Sequence, residues 1–234
     1  MIRFLLFQII AHTISDFYLQ TNKSCADKEK NGFNSPKLYI HVLITFVCAW
    51  LLSFSFNFWW VALIIAASHL LIDAMKCYAS KCKSIFFIDQ LLHLIVIVAV
   101  CYLWNGNLPD FVSGEEEKYI ALLLGILICV KPSNIIIKEI FKVANIKVNK
   151  GSDDDDTEDL PNAGKLIGVV ERLLSFVFVL LGQYEAVGFI IAAKSLLRFA
   201  EGDKAKSEYV LIGTLLSFSI AIFVGVAIKL YYGL

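Results

Sequence analysis

Long apolar runs separated by short charged ones set the plan of this chain. The runs lie near 2–20, 37–56, 58–76, 84–104, 119–137, 164–182, 186–200 and 208–231. A helix that crosses a bilayer needs about 20 mostly apolar residues. The pattern therefore predicts an all-α polytopic membrane bundle of about eight transmembrane or membrane-embedded helices. The seventh run is short and is expected to be tilted or only partly inserted. Composition points the same way: 58% of residues are hydrophobic, 18% are charged and the mean hydropathy is +0.70. An ordinary soluble domain is less apolar than this. No cleavable signal peptide is expected, because the first run lacks a small-residue cleavage site and carries His12 and Asp16.

Net charge is zero, so total charge says nothing about a partner, and no nucleic acid is inferred from it. Its distribution is more informative, because short loops rich in Lys and Arg stay cytoplasmic. Lys23, Lys28, Lys30 and Lys37 follow the first run, and Lys76, Lys81 and Lys83 follow the third. Lys138, Lys142, Lys147, Lys150 and Lys165 mark the long linker, and Arg198, Lys204 and Lys206 the last turn region. The opposite side has Arg3, Lys118 and Lys229, with an acidic loop of Asp110, Glu115, Glu116 and Glu117. The expected location is a bacterial inner (cytoplasmic) membrane, with both termini outside the cytoplasm.

Against that frame the polar residues inside the apolar runs stand out. His12 and Asp16, His69 and Asp73, and Asp89 and His93 are each four residues apart. On a helix such positions are stacked neighbours on one face. His41 lies early in the second run. Burying these groups in hydrocarbon is costly, so they mark a functional site by default. Imidazole and carboxylate together suit zinc, manganese or iron. At 1.5 Å per residue, all seven groups fall within about 15 Å of the cytoplasmic helix ends. A scattered set of packed, hydrogen-bonded histidines would not share one depth. A hydrogen-bonded polar core and a proton or ion pathway are the competing readings.

Cys25, Cys48, Cys77, Cys82, Cys101 and Cys129 form no CxxC motif and read as small buried or interfacial thiols. The run Asp153–Asp156 reads as a solvated stretch, since it lacks the spaced carboxylates and glycine of a calcium loop. Three blocks are expected: 1–104, four helices with the His/Asp set; 105–163, the acidic outside loop, the fifth helix and a cytoplasmic linker; and 164–234, three helices with their own charges. Among the latter, Glu171 and Arg172 are adjacent, Lys194 and Arg198 are four apart, and Glu208 opens the last helix. Ion pairing and snorkelling explain such groups blandly. The functional alternative is a cationic wall of Arg172, Lys194 and Arg198 for an anionic group.

The stretches HTISDFYLQTNKSCADK, SHLLIDAMKCY and FFIDQLLHL resemble the bacterial membrane proteins called domain-of-unknown-function family 3307. GKLIGVVERLL, AAKSLLRF and EYVLIGTLLS resemble the C-terminal half of longer members. That resemblance covers most of the chain outside the linker and implies no particular activity. The His-x3-Asp motifs are distantly similar to those of membrane-bound metal-dependent hydrolases.

The function expected is a membrane-embedded metal-dependent hydrolase acting near the cytoplasmic leaflet on a phosphate-ester or lipid-like anion. One or two divalent ions would bind His12, Asp16, His41, His69, Asp73, Asp89 and His93. The three cations would hold the substrate, and Glu171 would act as general base, though a poor one if paired with Arg172. A metal-ion or proton-coupled transporter is the alternative, favoured by discontinuous helices. A non-catalytic membrane partner with a closed structural metal is the other.

Overall fold

A computed structural model describes residues 2–78, 84–104, 116–146, 163–199 and 204–234. The acidic run 153–156, Asp110, Glu115 and Cys82, named above, lie outside the described residues. So does the side chain of Arg198. The described secondary structure is all helical: α1 (Ile2–Thr13), continued by a π-helical segment (Ile14–Leu19), α2 (Asn22–Asn31), α3 (Pro36–Leu51), α4 (Trp59–Tyr78) and α5 (Ile85–Leu103). Then come α6 (Glu117–Val130), α7 (Pro132–Val143), α8 (Ala163–Leu180), α9 (Tyr184–Phe199) and α10 (Lys204–Tyr232). Among the described residues four helical stretches are long and apolar enough to cross a membrane: Ile2–Leu19, Phe56–Cys77, Ile85–Leu103 and Glu208–Tyr232. A fifth arises if α6 and α7, bent by 45°, form one span. Each of the eight expected runs contains helix, but α3 has only 16 residues. Lys165, Glu171 and Arg172 interrupt the apolar face of α8.

The chain divides into two compact units, Met1–Leu124 and Gly125–Leu234. In the first, α1 packs on α3 and α5, α3 on α4, and α4 on α5. Four helices thus close into a ring. One end of the ring is apolar, built on Phe4, Ala49, Phe58, Val61, Ala62, Ile65, Ile97 and Cys101. Elsewhere the interior is polar, with Gln8, His12, Ser15, His41, Thr45, His69, Asp73, Asp89 and His93 all buried. The exterior carries Leu43, Val47, Leu63, Ile64, Leu71, Leu91, Ile95 and Val98. Polar inside and apolar outside is the arrangement hydrocarbon demands, where unpaired polar groups find no solvent.

Local chemistry sets the helix ends. Thr21 caps α2, its Oγ1 accepting from the Ser24 N–H at 3.2 Å, one of the otherwise orphaned donors of a first turn. Gly32, at φ +53°, ends that helix and donates its N–H to the Lys28 carbonyl, a left-handed stop that suits glycine. Pro36 opens α3 at a position where the missing N–H costs nothing. The ten residues of α2 were expected as a loop. Helix forms there because the segment is capped and packs across α3 and α4.

In the second unit α8 packs on α9 and α10, and α7 on α10. Gly125 and Gly225 permit this closeness. A Cβ at Gly125 would lie 2.6 Å from Phe176 Cζ, and one at Gly225 would lie 2.9 Å from Val179 Cγ1. The break at Lys131 follows from Pro132, which has no N–H to give and crowds the preceding turn. The carbonyls it frees are taken by side chains. Ser133 Oγ donates to Ile128 O at 2.7 Å, Arg172 Nε to Cys129 O at 2.6 Å and Asn134 Nδ2 to Val130 O at 3.0 Å.

Candidate metal centre

Four helices bring the seven sequence-predicted ligands to one end of the first unit. His12 ends α1, His41 lies in the second turn of α3, His69 and Asp73 lie toward the end of α4, and Asp89 and His93 open α5. Asp16 lies in the π-helical segment that extends α1. A π turn widens the helix by one residue per turn, and such turns recur at functional sites. His12 Nδ1 is 3.6 Å from Asp16 Oδ1. Asp16 Oδ1 lies nearer to His41 Nε2 and His69 Nε2, 3.4 Å from each, and those two nitrogens are 2.9 Å apart. Atoms bound at about 2.1 Å to one tetrahedral ion lie about 3.4 Å from one another. The triad from α1, α3 and α4 has close to that spacing.

Asp73 adds a second oxygen set. Its Oδ2 is 3.8 Å from His41 Nε2 and 4.0 Å from His69 Nε2, while its Oδ1 is 3.8 Å from His93 Nε2. His93 Nε2 is also 3.4 Å from Asp89 Oδ1. The His69 and His93 rings stack with centroids 4.0 Å apart, which aligns ligands from α4 and α5. All seven side chains are at most 8% exposed. Groups able to hold a metal ion include His12 with Asp16 and His69, His41 with His69 and Asp73, and Asp73 with Asp89 and His93.

A further layer holds the ligands in place. Lys28, buried on α2, pairs with Asp73 Oδ2. Lys76 donates to Asp89 Oδ2 at 2.8 Å. Gln90 bridges three groups: its Oε1 faces His12 Nε2 at 3.3 Å, and its Nε2 faces Asp89 Oδ2 at 3.2 Å and Asp16 Oδ2 at 3.4 Å. Ser15 Oγ lies 3.1 Å from Asp16 Oδ1. Partners of this kind orient ligands and tune their basicity. The sequence offered little to find them. Lys28 and Lys76 read as topology markers, and Gln90 and Ser15 are conspicuous only as neighbours of Asp89 and Asp16.

Beside His12, His69 and His93 is a cavity lined also by Gln8, Thr45 and Ser68, with room for about one water molecule. Gln8 anchors its amide on the Ala49 carbonyl at 3.1 Å. Its Oε1 has no hydrogen-bond partner among the described residues. The thiols stand apart from this chemistry. Cys25 hydrogen-bonds Gln20 Oε1 at 3.3 Å, and burial pushes its thiol up from the usual range against the pull of Lys28.

The charges expected to hold substrate lie in the second unit. Arg172 is 2% exposed, and besides Cys129 O it donates to Ser217 Oγ and Asn134 Oδ1, each at 2.8 Å. Its guanidinium is directed into the second unit's interior, where it caps the broken helix. Glu171 pairs with Lys194 rather than with Arg172. Arg198 falls in the last turn of α9, and its side chain lies outside the described residues.

No curated protein and no solved structure matches the chain. Residues 4–117, which include all four histidines and all three aspartates of the centre, match the family described as a protein of unknown function (DUF3307).

Proposed function

We propose that this protein is a membrane-embedded, divalent-metal-dependent hydrolase of an anionic, phosphate-ester or lipid-like substrate. The observation that carries the reading is the triad of Asp16 Oδ1, His41 Nε2 and His69 Nε2, separated by 2.9–3.4 Å. Of the triad, His69 lines the water-sized space, and three protein ligands with an open position is the pattern of a catalytic rather than a closed structural site. Charge supports it too. With neutral imidazoles, Asp16, Asp73 and Asp89 face Lys28 and Lys76 among the described residues, an excess of one negative charge that favours a cation. A divalent ion there would supply Lewis acidity and lower the pKa of water.

The chain's own residues do the rest. Gln90 and Ser15 fix the Asp16 carboxylate, and Lys28 and Lys76 fix Asp73 and Asp89. Each ammonium has three donors, so both lysines keep capacity for a substrate oxygen. We assign anion recognition to them, because Arg172 spends its donors on the α6 end. The cytoplasmic leaflet of a bacterial inner membrane is the proposed location, from the lysine asymmetry of the loops. A transport pathway is less well supported. Discontinuous helices serve ions by offering unwound carbonyls, and those at the α6–α7 break are taken by Ser133, Arg172 and Asn134.

The test is hydrolysis by purified protein, loaded with Mn2+ or Zn2+, of a nitrophenyl phosphate and of phospholipid in mixed micelles. Metal-dependent release of phosphate or headgroup, abolished by a chelator and by His41→Ala, is expected. Full metal occupancy with no turnover of either substrate would overturn the hydrolase.

A further inference from the structure

A second set of donors lies beside the triad, and two of its atoms make no hydrogen bond among the described residues. Asp89 Oδ1 and His93 Nε2 are 3.4 Å apart, in side chains 2% and 3% exposed. Neither makes a hydrogen bond among the described residues. Such orphans are rare in folded proteins and costly. The polar neighbours do not relieve them: Lys76 and Gln90 both donate to the other oxygen, Asp89 Oδ2, at 2.8 and 3.2 Å. Asp89 Oδ1 is thereby left facing His93. Asp73 Oδ1 lies on the same side, 3.8 Å from His93 Nε2. Its Oδ2, which pairs with Lys28, faces His41 and His69 at 3.8 and 4.0 Å.

We propose that Asp73, Asp89 and His93 hold a second divalent ion, and that Asp73 bridges the two ions with one oxygen to each. This rests on the first ion lying at Asp16, His41 and His69. Three features favour it over a plain hydrogen-bonded core. The bite of Asp89 Oδ1 and His93 Nε2 matches the roughly 3.4 Å edge of a tetrahedral site. Both are buried and, beyond the contact with each other and with Asp73, make no hydrogen bond among the described residues. The two oxygens of Asp73 point to different histidines, as a bridging carboxylate requires. The stacked rings of His69 and His93 hold the two nitrogen sets side by side. Paired ions clamp the attacking and leaving oxygens of an in-line displacement, so a second position suits the phosphate-ester part of the proposed substrate class.

The experiment loads the purified full chain with Mn2+ in detergent or nanodiscs, then measures manganese per chain and the electron paramagnetic resonance spectrum. Two ions per chain with an exchange-coupled spectrum are expected. The Asp89→Asn, His93→Gln double variant should bind half as much and show an uncoupled signal. One uncoupled ion in the wild type, unchanged in the double variant, overturns the second site and leaves the triad intact. Two uncoupled ions overturn the bridge. No bound ion overturns both this inference and the proposed function. If the double variant does not fold, the wild-type count and spectrum decide alone.

Discussion

Replacing Arg172 with methionine should weaken the second unit and leave the metal centre alone. Methionine keeps most of the aliphatic volume, so the change removes the guanidinium rather than opening a large hole. Three acceptors lose a charged donor: Cys129 O, Ser217 Oγ and Asn134 Oδ1. The two side chains can turn toward other partners. The Cys129 carbonyl cannot, because it is fixed in the last turn of α6 ahead of a proline. A buried acceptor left unsatisfied costs about 1–3 kcal/mol. Relief from burying a cation without a paired carboxylate works in the opposite direction. The net loss should be about 1–2 kcal/mol. It can be read from equilibrium unfolding of the detergent-solubilised protein, with metal content measured on the folded fraction. Arg172→Lys should recover only part, since one ammonium cannot reach three acceptors set around a planar fork. A variant of wild-type stability that has lost activity or anion binding would refute this, and would return Arg172 to the substrate.

Other expectations follow from the same contacts. Lys28→Met leaves the Asp73 carboxylate buried without its ammonium, so the metal-free protein should lose about 3–5 kcal/mol; added metal should restore much of it, and equal melting of variant and wild type without metal would count against the pairing. Gly125→Ala forces a Cβ to within 2.6–2.9 Å of Phe176 and Ile228 and should cost about 1–3 kcal/mol, seen as a lower melting temperature at unchanged metal content. Thr21→Ala removes the α2 cap and should cost about 1 kcal/mol, visible as faster amide exchange confined to α2. In a background without native cysteines, Ser152→Cys should resist an impermeant thiol reagent in intact cells and Ser113→Cys should react; the reverse pattern would invert the topology.

The seven ligands were legible because histidine and aspartate are rare in apolar runs and their four-residue spacing survives any packing. Each pair meets in the fold, at 3.6, 4.0 and 3.4 Å. The partners across helices were not legible: Asp16, in a π-helical segment invisible to periodicity, also lies 3.4 Å from His41 and from His69. Lys28 shows a second limit. In a charged loop it reads as a topology marker, and only the docking of α2 on α3 and α4 buries it against Asp73. Glu171 shows a third: its neighbour in sequence is Arg172, but successive residues on a helix face different ways, and Lys194 on α9 meets it instead. Pro132 falls within the apolar run 119–137, where the fifth helix was expected to end. Proline marked the place, but the helix beyond it, as far as Val143, depends on packing against α10.

Elemental analysis of the chain, purified without chelator, tests the metal centre most directly. At least one divalent transition-metal ion should remain with each folded chain, and His69→Ala or Asp16→Ala should lose it while Lys194→Ala retains it. Wild-type protein that is well folded, yet holds far less than one ion per chain after reloading with zinc, manganese and iron, would contradict a metal centre in this bundle.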